Sequence, residues 1–494
     1  MEINRMSILP KRNVRFRKIP DEPQDIGMLD NEINIALAQN PARYETGQQL
    51  AKPGTTPDPD ALRWNNLVLS KGNINHVDPV MFYGTYQLEK EAIGMTATSL
   101  LNHPNPEDCH GYFLCGGTES LLQAGWVYRN KYFYHKLMDK TNKNRLDFRK
   151  QGWRVYRLEP HLRNVKILTP LDTHMAVEKA ADILGIGRHN VELIELGKDF
   201  KPNLDSLREV VQRVLNNGDE ILMCYFTVGD SQKGLVTDIA AVNAALLDAI
   251  NGKQDWIPPI IVDAAGQYIF ASVMANSPKY EKKMPVWDFR IENVKAIVGD
   301  PHKNQIPYPA GLCMFREKSD LLFADTDAPY LHNAQFKLVQ SDHLSHNTVP
   351  TSRTGSTAVA TWGYLLKHGL KGLREKKEKI WKLVKLARDL VVEAGFELLC
   401  EPETNIVTFS VSAQNPGLNK IIYDKINSSP DDFYFIGESS TAAIRTLSEM
   451  QEYSTAKFKG RNLDKYSRLI LWIMDCSTEE NIREIIAKIK ALSK

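Results

Sequence analysis

Apolar residues recur along this chain in two rhythms, and their alternation predicts a mostly parallel sheet with helices on both faces. Helical spacing runs through residues 86–101 and 118–136. Beyond a polar, basic connector at 139–151, short apolar runs alternate with helix-spaced ones. Strands are expected at 165–168, 191–195, 220–227, 260–263 and 294–298, and helices at 175–185, 204–216 and 238–249. A long amphipathic pattern over 372–394 stops at Gly395. After it come strand-like runs at 397–400, 406–411, 433–436 and 469–474, then a closing helix over 478–492 with Ser477 placed to cap it. The resulting division is an N-terminal arm (1–70), a large α/β domain (71–370) and a smaller C-terminal α+β domain (371–494). The arm is polar and proline-rich, with one short helical patch near 30–39.

Composition narrows the function classes without choosing one. The 494 residues carry 62 basic and 60 acidic side chains, a net charge of +2. That balance gives no general attraction to nucleic acid or to an anionic membrane. No apolar run approaches the roughly 20 residues needed to span a bilayer. The first 17 residues hold five basic side chains but no apolar stretch, and read as a solvated arm rather than a secretory signal. Six cysteines without a CxxC pair are expected to be reduced thiols in a cytoplasmic protein. His343 and His346 lack the cysteine or carboxylate company of a metal site, so no metal is expected.

Chemistry enters at five places, all on loops that follow predicted strands or turns, where ligands of open α/β sheets gather. Gly116 and Gly117 allow close backbone approach to an anion, Thr118 adds a hydroxyl, and the following helix aims its N-terminus at the same spot. His174 lies between a strand and a helix, able either to stack on a ring or to cap the helix. Ser231, in Gly229-Asp230-Ser231, is within a loop that could touch a ring or substrate. Asp263 ends an apolar strand beside two alanines, suited to a protonated ring nitrogen, although strand-end aspartates also cap helices. Lys303 follows His302 in Gly299-Asp300-Pro301-His302-Lys303. Alone it reads as a solvated lysine. In the company of an anion cradle and a buried acid it suits a Schiff base with pyridoxal 5'-phosphate (PLP).

These motifs, in this order, resemble those of the group II PLP-dependent amino-acid decarboxylases, over about residues 70–490. Asp300 to Lys303 followed by Pro307-Tyr308-Pro309-Ala310-Gly311 resembles the lysine motif of prokaryotic tyrosine and aspartate decarboxylases. Gly116 to Ser120, His174 with Lys179-Ala180-Ala181, and Val262 to Ala265 are similar to the family's phosphate, ring-stacking and ring-nitrogen motifs. The resemblance implies the fold-type-I, aspartate-aminotransferase-like architecture and α-decarboxylation of an L-amino acid. It also implies a homodimer with active sites at the interface. Thr351 to Gly355 resembles the block that contacts the neighbouring site. A loop at about 322–347 is implied to carry the proton donor, for which Tyr330 is the choice, and His76 is a weaker choice for a substrate contact. Three departures stand out: Cys115 before the glycines, Asp230 where relatives carry threonine, and Asn304 after the lysine. Two alternatives remain open. Sphingosine-phosphate lyases share the motif order but cleave a carbon–carbon bond, and a cofactor-free binding protein could keep the fold.

Overall fold

A computed structural model describes residues 25–38, 46–51, 53–137, 147–325, 347–412, 414–428, 434–458 and 464–494. One short strand, β1 (Gln49–Leu50), precedes the main sheet. That sheet contains β2 (His110–Leu114), β3 (Val165–Pro170), β4 (Val191–Ile194), β5 (Glu220–Thr227), β6 (Ile260–Asp263), β7 (Val294–Gly299) and β8 (Gly311–Phe315). Their spatial order is β2-β8-β7-β6-β5-β3-β4, and only β8 runs against the rest. Parallel strands covered on both faces must be apolar along their whole length. β5 meets this demand, buried from Glu220 to Phe226, and β6 is buried throughout. Helices Leu204–Asn216 and Ile239–Ile250 pack on one face, Gly117–Lys136 and Ala176–Ile183 on the other.

Local signals explain why several elements start where they do. Asn203 accepts hydrogen bonds from the amides of Asp205 and Ser206, which starts the Leu204–Asn216 helix at the predicted residue. The closing helix, Glu479–Leu492, is capped by Thr478 and not by Ser477. Thr478 has the extended backbone that turns its hydroxyl onto the Asn481 amide, whereas the Ser477 hydroxyl accepts from the Met474 amide.

The C-terminal part forms a second, smaller sheet from β9 (Glu397–Leu398), β10 (Ile406–Ser410), β11 (Phe435–Ser439) and β12 (Arg468–Trp472), in the order β1-β11-β12-β10-β9. Residues 49–50 of the predicted arm are thus its edge strand, parallel to β11. The predicted helix over 372–394 is the second half of a longer one, Ser356–Glu393, kinked at Gly369, where φ is 56°. Two strands escape the hydrophobic pattern, β2 and β8, each short and glycine-containing. The glycines mark close approach: a Cβ on Gly111 would stand 2.5 Å from the Cys313 carbonyl, and one on Gly311 2.5 Å from the Gly116 backbone.

Away from the sheet edge, two of the motifs named above pair with each other. The Asn75 side chain accepts from the Arg353 amide at 2.9 Å and donates to the Ser352 hydroxyl at 3.1 Å. His76 is fully buried, its Nδ1 2.5 Å from Glu89, and it does not line the site cavity described below. A substrate contact through His76 is therefore ruled out in this conformation: the imidazole belongs to a buried trio with Glu89 and Arg353. Arg353 Nη1 lies 2.7 Å from Glu89. Burial alone would raise the Glu89 carboxyl, but Arg353 and His76 outweigh it and hold its pKa at about 2. Removing one partner of such a pair strands a buried charge. Arg353→Met is expected to cost about 3 kcal/mol, read as a lower midpoint in chemical denaturation.

Candidate active site

The carboxyl ends of β2, β3, β5, β6 and β7 open at the same edge of the sheet into one cavity of about 570 Å³. Gly116, Gly117, Thr118, His174, Ser231, Asp263, His302 and Lys303 all line it, although they come from five loops spread over nearly 190 residues of sequence. These eight positions singled out from the sequence are therefore gathered in one place, and His76 is not among them. Tyr330, with most of the 322–347 loop, lies outside the described residues.

The first wall is the start of the helix Gly117–Lys136. A helix leaves its first amides without internal partners, so those of Gly117, Thr118 and Glu119 are free to meet an anion. Gly116 precedes them in extended backbone. A Cβ on Gly117 would press to 3.2 Å from the Ala265 methyl and 3.3 Å from the Asp300 carboxylate. The missing side chain lets the helix end sit directly on the cavity floor. Glu119, which also lines the cavity, accepts from the Cys115 amide at 2.7 Å.

Acid and base groups form the floor. Asp263 closes β6, 7% exposed, and its Oδ1 accepts from the Ala265 amide at 3.1 Å. The carboxylate ties down the turn that follows β6 rather than capping the next helix, and it lines the cavity. Burial raises its pKa, opposed by the Ala265 amide, Lys303 and His174. Lys303 sits on the single turn Pro301–Lys303 directly after β7, and its Nζ is 2.8 Å from Asp300 Oδ2. The other oxygen, Asp300 Oδ1, is buried without a hydrogen-bond partner among the described residues. His302 takes a hydrogen bond at Nδ1 from the Ala310 amide at 3.3 Å, and burial lowers its pKa. Its ring meets that of Tyr308 at 4.5 Å.

Side walls complete the enclosure. His174 accepts at Nδ1 from the Ala176 amide at 3.2 Å, so the imidazole starts the Ala176–Ile183 helix and faces the cavity as well. Trp472, at the end of β12, contributes an aromatic surface from the smaller sheet. Asp230, which the sequence left as a worrying extra charge, spends its oxygens on the amides of Gln232, Lys233 and Leu235. Asn304 turns from the cavity to donate to the Asp300 carbonyl.

Asp300, Tyr308 and Trp472 were missed as site residues. Asp300 had a readable signal, a carboxylate three residues before a lysine across a turn opened by proline. Trp472 had none, because only the packing of two sheets brings β12 to this edge. The set fits a phosphorylated aldehyde with a basic ring: free helix amides for the phosphate, a buried carboxylate for the ring nitrogen, and an amine within a partly closed pocket for the aldehyde.

Comparison with known proteins agrees. Residues 88–412 match the family described as the pyridoxal-dependent decarboxylase conserved domain. A probable L-tyrosine/L-aspartate decarboxylase of Methanothermobacter thermautotrophicus is 28% identical over 76% of this chain and 85% of its own. An L-aspartate decarboxylase of Thermococcus kodakarensis is 29% identical over 74% of this chain and 80% of its own. Among solved structures, Oryza sativa TDC with PLP and tryptamine superposes with a TM-score of 0.77 at 17% identity, covering 98% of this chain and 92% of the other.

Proposed function

The chain belongs to the pyridoxal-dependent decarboxylase family, and on that premise we propose which of its residues carry out the decarboxylation of an amino acid. When bound, PLP supplies an aldehyde for the substrate amine and a ring that accepts the electron pair left as carbon dioxide departs. Lys303 is the residue that would hold the aldehyde between turnovers and give way to the substrate amine. Asp300, 2.8 Å away, would accept a hydrogen bond from the freed amine and steady it once it takes up the proton given up by the substrate ammonium. Amides 117–119 and the Thr118 hydroxyl hold the phosphate, with His302 beside them. Asp263 keeps the ring nitrogen protonated, His174 covers the ring face, and Ser231 approaches from the β5 loop. The observation that carries this reading is the meeting of Gly117, Asp263 and Lys303 at one cavity.

The reading is tested by offering a panel of amino acids to the PLP-loaded protein and measuring carbon dioxide and amine. Aldehyde release from a phosphorylated amino alcohol, without carbon dioxide, would transfer the case to the lyase alternative. Relatives named for tyrosine and aspartate support an aromatic or acidic substrate. For the last proton, delivered to the α-carbon, we assign Tyr330. Tyr330→Phe is expected to slow amine release about 10²-fold with PLP still bound, and an unchanged rate would remove the assignment.

A homodimer completes the proposal, with the arm (1–70) as the segment that meets the partner. Helix Ile26–Ala38 leaves Ile26, Leu29, Ile33 and Leu37 exposed at helical spacing, an apolar stripe uncovered by the described residues. A sedimenting mass twice the 56.0 kDa of one chain is expected. The six free thiols support a reducing, cytoplasmic setting.

A further inference from the structure

Lys233 is 1% exposed, which is rare for a lysine without a task. Its Nζ lies 2.6 Å from Asp172 Oδ2 and 3.2 Å from Asp230 Oδ1. Both carboxylates line the cavity, two residues before His174 and one before Ser231. Burial alone would lower the Lys233 ammonium, but Asp172 and Asp230 outweigh it and keep it charged. The loop that carries Lys233 is anchored elsewhere as well. Thr404 Oγ1 donates to the Gly234 carbonyl at 2.8 Å, Thr408 Oγ1 donates to the Gln232 carbonyl, and Glu403 accepts from the Val236 amide. At its start Gly229 has φ of 75°, and a Cβ there would lie 2.1 Å from Gln267. The β5 loop is thus a fixed block, bolted to the smaller sheet.

The β3 loop at 171–174 is tied at its two ends: Leu171 packs with Leu196, Ile444 and Tyr466, and His174 is held by the Ala176 and Val177 amides. Between them, Asp172 provides the ionic link to the block. We propose that Lys233 is a positioning residue: through Asp172 it clamps the loop bearing His174 to the anchored loop bearing Ser231, and so fixes how His174 sits over the ring. The clamp rests on the reading of His174 given above, but part of it can be judged without PLP.

Asp172→Asn is the gentle test, because Lys233 keeps Asp230 as its partner and the fold is preserved. In cofactor-free protein, amide hydrogen exchange over 171–176 is expected to rise about fivefold, with the 229–236 loop unchanged. In PLP-loaded protein, kcat is expected to fall about tenfold with KM within about twofold, and the visible circular dichroism per bound PLP should shrink. Lys233→Met should do the same more strongly, and if it fails to fold the asparagine variant decides. Unchanged exchange over 171–176 overturns the clamp. Faster exchange with unaltered kcat overturns its positioning role, leaving a structural tie. If the wild type decarboxylates nothing, the proposed function fails while the exchange result still judges the clamp.

Discussion

Replacing Lys303 by alanine is expected to reduce decarboxylation by on the order of 10⁴-fold or more and to abolish the visible band of lysine-linked PLP. Among the described residues lining the cavity Lys303 supplies the amine that can form a Schiff base with an aldehyde, and His302 next to it is held through Nδ1 by the Ala310 amide. The substitution also removes the Lys303 ammonium from Asp300, leaving a 2%-exposed carboxylate whose second oxygen has no hydrogen-bond partner among the described residues. Some loss of thermal stability in the cofactor-free protein should follow. PLP should still bind, more weakly, through amides 117–119 and Asp263. Two measurements separate these effects. Borohydride reduction followed by peptide mapping should find pyridoxyl on the peptide containing Lys303 in the wild type and nowhere in the variant. Equilibrium dialysis should then find residual PLP binding in Lys303→Ala. A wild-type adduct on another lysine would sink the assignment, whatever happened to the rate.

Much of the site was legible because its chemistry is local. A glycine pair before a helix, an acid at a strand end and a lysine on a proline-opened turn each carry their geometry in three or four residues. The alternation of strand and helix places the acid and the lysine at strand ends, whereas the glycine pair follows a strand, β2, that the pattern does not show. What stayed hidden depends on pairing across long distances in sequence. Asp230 stood out from the sequence as a departure, and nothing local reveals that its oxygens cap its own loop and meet Lys233. His76 looked available because its burial against Glu89 and Arg353 joins residues more than 260 positions apart. Strands β2 and β8 were invisible for a related reason: their glycines, read locally as breakers, serve close backbone packing. The Ser477 cap failed by one residue, a matter of which hydroxyl has extended backbone. Two-residue strands such as β1 have no periodicity to read at all.

Asp263→Asn should separate function from stability in opposite directions. Asparagine keeps the shape and can still accept from the Ala265 amide, so the β6 turn is retained. The charge is lost, and with it the partner that keeps the ring nitrogen protonated. Removing one preorganised charge aimed at a reacting system costs roughly 10²–10³-fold, and here the upper end, about 10³-fold in kcat, is expected because the ring is the electron acceptor. In the cofactor-free protein the sign reverses. Burial raises the Asp263 pKa above its unfolded value, so the native state holds its proton more tightly than the unfolded chain. Stability from this group is present at low pH and is lost as pH rises from the unfolded pKa through the folded one. At neutral pH that contribution is gone, and the buried carboxyl is a burden that Lys303 and His174 offset only in part. The variant without PLP should melt above the wild type at pH 7, and the difference should vanish near pH 3. Adding PLP should raise the wild-type midpoint more than that of the variant. A melting point unchanged by substitution at pH 7, or equal gains on adding PLP, would mean that Asp263 does not hold the ring nitrogen.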